Sequence, residues 1–327
     1  MKRTAALVVT VIALCIITAL SSPAAAQRAS RPADNAALRY WMAFAQMNDS
    51  PISAEDAARM DLIVNGKAPW DEQQFGPLVE QNKDAIETMI RGTSLPACDW
   101  GIEYDLGPDA PIAHLPKARA LARLNRLYAE RLASTGDYGG AIRATVAGIH
   151  FARHMAQNAS FLGALTAKVG MVTQLEQVRQ LAASGHLSSA QLAILRVATR
   201  TLPEGGFDWE HAARLEGGAI RRSMTTMSRA SDPKALYQTW FGSPAPPDFR
   251  VPGDREIAEL DRTMAFYGKL LGMPPATANT QLPALQKQIA ALDAVAQMTV
   301  PNAARMIAAR AEVINAQHEA GEALGMH

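Results

Sequence analysis

Cysteine is nearly missing from this chain. It has two, and Cys15 falls inside the apolar run near the N-terminus, which leaves Cys98 as the single thiol of the remainder. Once that run is removed an intramolecular disulfide is excluded, so stability has to come from packing. An excess of one charge sign is missing too. Lys and Arg number 32 against 31 Asp and Glu, a net charge of +1, and no cationic cluster stands out. Phosphate neutralisation needs such a cluster, so no nucleic-acid partner is expected. Aromatic residues are sparse at 6%. Beyond the N-terminal run, no apolar stretch reaches the about 20 residues that a spanning helix requires. A Gly-x-Ser-x-Gly elbow, a phosphate loop and a dinucleotide fingerprint are also absent. No cofactor is implied, and no catalytic residue is assigned.

The N-terminus carries the clearest positive signal. Lys2 and Arg3 precede an apolar run from Ala5 to Leu20, followed by Ser21, Ser22, Pro23 and Ala24-Ala25-Ala26. Basic, apolar and small-residue regions in that order form a secretory signal peptide. Cleavage is expected after Ala26, which makes the mature protein periplasmic or secreted. The alternative is a chain anchored by the uncleaved segment. Lipidation at Cys15 is not expected, because bulky Leu14 precedes it inside the apolar run.

The rest reads as helix nearly throughout, since Ala, Leu, Met, Gln, Arg and Glu recur at intervals of three and four without the alternation of strands. The expected fold is all-α, a multi-helix bundle or an irregular α-solenoid of helical hairpins. Helices are expected over 35–47, with Leu38, Trp41, Met42 and Ala45 on the apolar face, then 53–64 and 71–91. An amphipathic helix from Pro116 carries the stripe Leu121, Leu124, Tyr128 and Leu132, with Arg119, Arg123, Arg126 and Glu130 on another side. Gly136 ends it and Asp137 caps its successor. Further helices are expected over 159–184, 189–201, 208–229 and 233–241, and finally 255–271, 282–298 and 301–324. Pro244, Pro246, Pro247 and Pro252 crowd the stretch 242–254. The domain reading is therefore a signal peptide 1–26, a main helical domain 27–241, a proline-rich linker 242–254, and a C-terminal three-helix unit 255–327 packed on the main domain.

Residues 93–111 break the helical pattern with dense Gly and Pro. This segment holds Cys98, Asp99, Trp100, Glu103, Tyr104, Asp105 and Asp109, and its aromatics among carboxylates point to an ordered loop on one wall of a cleft. Asp99, Trp100, Glu103 and Tyr104, with Arg119 and Arg123 on the following helix, are the candidate binding residues. No metal site is assigned. His150 and His154 stand four apart on one helix, the spacing of a two-imidazole metal ligand, but no Glu follows His150, and Arg143 and Arg153 flank the pair with opposing charge. Asp208 beside Trp209, Glu210 and His211 reads first as a helix cap and second as a proton-shuttling group.

Over residues 118–153, small Ala129, the turn Gly136-Asp137-Tyr138, Ala141-Ile142 and small Gly148 resemble one tetratricopeptide-type helical hairpin. The early Trp and the closing Pro of that family are missing, Leu132 stands where an aromatic is usual, and no second copy follows one period downstream. The resemblance implies stacked hairpins that present a groove to peptides or proteins. The wider stretch, with Cys98-Asp99-Trp100-Gly101 ahead of His114-Leu115, resembles uncharacterised exported all-helical bacterial proteins. These readings lead to a non-catalytic binding or scaffold protein of the cell envelope, with a protein or peptide partner and membrane contact only through the signal sequence during export. The alternative is an exported hydrolase-like enzyme that uses the acidic loop 99–109 with His114, His150 or His211.

Overall fold

Side-chain caps decide where most of the helices begin. In the computed structural model, which describes residues 34–48, 52–247 and 249–326, Asn35 accepts from the Ala37 N–H at the start of α1 (Ala36–Gln46). Ser53 likewise opens α2 (Ala54–Val64), and Asp71 opens α3 (Glu72–Gln81). Each cap satisfies an amide that the first helical turn leaves without a partner. The signal peptide and its cleavage site lie outside the described residues.

The single helix expected over 71–91 is two, α3 and α4 (Lys83–Gly92). Pro77 removes one helical donor inside α3. Asn82 then turns its side chain back to donate to the Leu78 carbonyl at 2.9 Å and accepts from the Asn48 N–H at 2.9 Å. A side chain that competes in this way for backbone groups interrupts the helix. A segment containing the short 3₁₀ stretch Tyr104–Asp109 leads to α5 (His114–Ser134) and α6 (Tyr138–Ala156). They are joined by Gly136 at φ 85° and capped by Asp137, which accepts from the Gly140 N–H at 2.9 Å.

There follow α7 (Phe161–Ala183), α8 (Ser189–Arg200) with its Ser188–Gln191 capping box, α9 (Trp209–Arg229) and α10 (Pro233–Phe241). Beyond them come α11 (Asp254–Gly272), α12 (Pro275–Ala290), the short α13 (Ala294–Thr299) and α14 (Ala303–Ala323). The expected helix 282–298 is replaced by α12 and α13. Pro275 is suited to a first turn and starts α12 early, and Asp293 accepts from the Val295 and Ala296 N–H groups to begin α13. The last helix begins at Ala303 under an Asn302 cap rather than at Pro301. The fold is all-α, with no strand among the described residues.

The central helix α6 is buried along most of its length, between α5 and α7. Its packing depends on a missing side chain. A Cβ on Gly148 would lie 2.4 Å from Gln174 Cδ of α7 and 2.8 Å from Asn125 Nδ2 of α5, so glycine is what lets the three helices close. Outward from this layer, α14 packs on α7 and α11 on α9, while α12 bridges α11 and α14. Each of these helices contributes buried side chains to one hydrophobic cluster.

One expected face is reversed, and one residue expected among surface charges is buried. Helix α1 buries Ala36, Ala37, Tyr40, Ala43 and Phe44 and exposes Leu38, Trp41 and Met42. It packs closely on α4, where a Cβ on Gly92 would meet Tyr40 Cε1 at 2.8 Å, and only the small residues with the flat Tyr40 ring fit that approach. Arg126, expected among exposed charges, is 0% exposed. It pairs with Glu130 and donates to Gln180 Oε1 of α7 at 3.0 Å, so it neutralises a charge inside the α5–α7 contact.

Candidate functional site

The segment after α4 splits into a buried part and a surface part. Asp99 caps its own turn by accepting from the Gly101 N–H at 3.0 Å, and its backbone is tied to Asn35 through both N–H and carbonyl. Cys98 is buried, and burial together with the neighbouring Asp99 carboxylate raises its thiol far above the ordinary range, so it stays protonated. Trp100 is core rather than cleft wall. It is 6% exposed, stacks on His114 at 4.6 Å and on Phe44 at 6.0 Å, and donates its indole N–H to the His154 carbonyl at 3.0 Å. Glu103 and Tyr104 face outward to a recess that Arg214 and Arg221 also line. The Tyr104 hydroxyl donates to the Asn158 carbonyl at 3.1 Å and accepts from the Ser160 N–H at 2.9 Å. The expectation of one wall shared by Trp100 and Tyr104 is therefore corrected: a Trp next to Phe44 and Tyr40 buries more apolar area inward than a rim position allows.

Arg119 and Arg123 belong elsewhere, on a groove between α5 and α7. Arg123 pairs with Asp61 of α2 at 2.8 Å, whereas Arg119 is exposed and makes no ion pair with a described residue. The groove has a volume of about 340 Å³, and Ala120, Ala122, Met155, Val169 and Gly170 give it an apolar lining. Two of the lining residues, at 122 and 170, are small, and a Cβ on Gly170 would come within ordinary contact of Ala152 and Ala122, at 3.7 and 3.9 Å. On the α7 side, Leu162 is 51% and Val169 50% exposed.

Three histidines, His150, His154 and His211, line a second cavity of about 560 Å³. His150, Arg153 and His154 reach it from the end of α6, Asn158 from the α6–α7 link, and Asp208 and His211 from the start of α9. Three features position these groups. Asn158 adopts φ 55°, the one left-handed non-glycine residue among those described, which turns the chain sharply out of α6. Asp208 caps α9 by accepting from the His211 N–H at 2.8 Å. The turn before it is held from α14, where Gln317 donates to the Pro203 carbonyl at 2.9 Å and accepts from the Gly205 N–H at 2.8 Å. Burial, then His150 and Arg153, brings His154 down to about 4, and burial followed by Arg153 lowers His150.

No cluster of three His, Cys, Asp or Glu side chains among the described residues is arranged to hold a metal. The His154 Nδ1 is already engaged, 2.6 Å from the Tyr40 hydroxyl. Asp99 and Glu103 do not line the histidine cavity, and His114 is buried against Trp100 instead. Sequence reasoning missed Asn158, for which the residue pattern offers only the end of a helical run as a signal. Arg153 drew notice only as a charge opposing a metal.

Compared with known protein families, with curated proteins and with solved structures, the chain matches none.

Proposed function

We propose that this chain is a non-catalytic binding protein of the cell envelope, exported by its N-terminal leader and cleaved after Ala26, which takes a peptide segment of a partner protein in the groove between α5 and α7. The observation that carries the reading is the groove itself. Its apolar lining over Met155, Ala122 and Gly170 suits apolar side chains, and Arg119 at its rim, which has no ion pair with a described residue, suits an acidic one. The likeness of the α5–α6 hairpin to a tetratricopeptide-type unit supports the same use. Among the described residues, no helix is long and apolar enough to cross a membrane.

The test is cross-linking of the mature protein in isolated envelopes, wild type against Gly170→Leu and Arg119→Glu, with the intact mass of the purified protein measured alongside. A partner captured by wild type and lost in both variants, with a mature terminus at Gln27, is the expected result. Capture that is unchanged by filling the groove removes the binding proposal, and a retained leader removes the soluble exported form.

A second reading, an exported enzyme, is favoured by one arrangement: His150, His154, His211 and Asp208 line a common cavity. The carboxylates Asp99 and Glu103 are not part of it, so an acid–base pair there would have to come from Asp208 and a histidine. Hydrolytic turnover that disappears in His211→Ala but survives Gly170→Leu would select this reading.

A further inference from the structure

Three donors at the end of α6 and just beyond it have no use in the fold. Arg153 is half-buried and forms neither an ion pair nor a hydrogen bond through its guanidinium with any described residue. The second donor follows from Tyr40. Among the described residues its buried hydroxyl has a single partner, His154 Nδ1, so the phenol proton is donated there, and the neutral imidazole then carries its own proton on Nε2. That Nε2–H has no acceptor among the described residues.

The third follows from a relay on α9. Arg214 lies 3.3 Å from His211 Nδ1, and a guanidinium can only donate, so His211 carries its proton on Nε2 and donates it to Asn158 Oδ1, 3.3 Å away. Asn158 is thereby oriented with its amide NH₂ unused. Arg153, His154 and Asn158 all line the cavity of about 560 Å³.

A simpler role for Arg153 and His154 would be to offset the negative end of α6, since both lie in its last turn. That end is already partly satisfied, because the His154 carbonyl accepts from Trp100 Nε1 at 3.0 Å and from the Gln157 N–H at 3.3 Å. The one acidic side chain lining the cavity, Asp208, is engaged as the cap of α9 and sits at that helix's positive end.

We propose that this cavity binds a small organic oxyanion, a carboxylate or phosphate group held by Arg153, the His154 Nε2–H and the Asn158 amide. The volume exceeds that of a bare anion and lies in the range of small-molecule sites. Leu95, Pro96 and Phe207 provide an apolar wall for the body of the molecule. This site is separate from the α5–α7 groove and does not depend on the peptide reading.

The test follows the ring ¹⁵N signals of the histidines in the mature protein during titration with inorganic phosphate and, separately, with acetate. Saturable shifts are expected. Arg153→Gln should weaken binding roughly tenfold or more, as loss of one charge-assisted contact does. Asn158→Gly, which keeps the left-handed backbone without strain, should fold like wild type and weaken binding several-fold, so it decides the matter even if Arg153→Gln fails to fold. Response to phosphate alone assigns a phosphorylated ligand, and response to acetate assigns a carboxylic acid. No saturable shift with either anion, or equal affinity in wild type and Asn158→Gly, overturns the proposal.

Discussion

The Tyr40 hydroxyl lies 2.6 Å from Nδ1 of His154 and links α1 to α6 across 114 residues of chain. Burial raises the Tyr40 phenol well above its ordinary range and lowers His154 to about 4, so both groups stay neutral and the bond is one between uncharged partners. The Trp100 ring stacks on Tyr40 at 5.6 Å and on His114 at 4.6 Å, which joins the irregular segment to the same block.

Stability should fall as pH drops from 7 to 5. His114 and His154 are both held at about 4 in the folded protein, against about 6.5 for an exposed imidazole in the unfolded chain. Between those values the unfolded chain binds protons that the folded one refuses, so stability is complete above about 6.5 and is lost progressively toward 4. The slope is at most about 1.4 kcal/mol per pH unit for each histidine. Urea midpoints at pH 7 and pH 5 measure it. His114→Phe, which retains a ring against Trp100 and removes a buried Nδ1 that has no partner, should flatten the dependence. An unchanged slope in that variant would mean that His114 titrates normally.

Gly148→Ala should destabilise the protein by about 1–3 kcal/mol, because the new methyl overlaps the buried side-chain amides of Gln174 and Asn125 in the closed contact of three helices. Gly170→Ala places its methyl at ordinary contact distance from Ala152 and Ala122, and should be neutral or stabilising by up to about 1 kcal/mol through helix propensity. Thermal or chemical denaturation of the pair gives the comparison. Equal effects at the two positions would contradict the packing described for α6.

Arg126 and Glu130 should behave asymmetrically. Arg126 is fully buried and paired with Glu130, which is 19% exposed. Glu130→Ala leaves a buried guanidinium without its counter-charge and is expected to cost about 3–5 kcal/mol, whereas replacing both as Arg126→Met with Glu130→Leu should cost much less. Denaturation of the single and double variants reads this directly; a double variant as unstable as Glu130→Ala would show that the pair contributes more than mutual neutralisation.

Trp100→Ala should act on folding before it acts on binding. Removing an aromatic ring that is 6% exposed from the Tyr40, Phe44 and His114 cluster is expected to cost about 3–5 kcal/mol. Glu103→Ala, at an exposed position of the same segment, should leave the urea midpoint unchanged. For that reason only the latter isolates a binding role for this segment.

The residue pattern alone determined the all-α class and most helix starts, because caps and helical periodicity are local. Ser53, Asp137, Ser188 and Asp208 each accept from an amide within three residues. What periodicity does not specify is which of two apolar stripes meets a neighbour. Leu38, Trp41 and Met42 form as good a stripe on α1 as Tyr40 and Phe44, and the close approach of Gly92 together with the reach of His154 chose the second. The same holds for charge: Arg126 is turned into the α5–α7 contact, where it reaches Gln180, whereas Arg123 lies at the groove and reaches Asp61 of α2. The histidine cavity was beyond any local reading. It is assembled from the end of α6, the turn at Asn158 and the start of α9, with α14 holding the preceding turn. Contacts between residues more than 100 positions apart leave no spacing in the sequence for a local pattern to record, and only the packed fold brings them together.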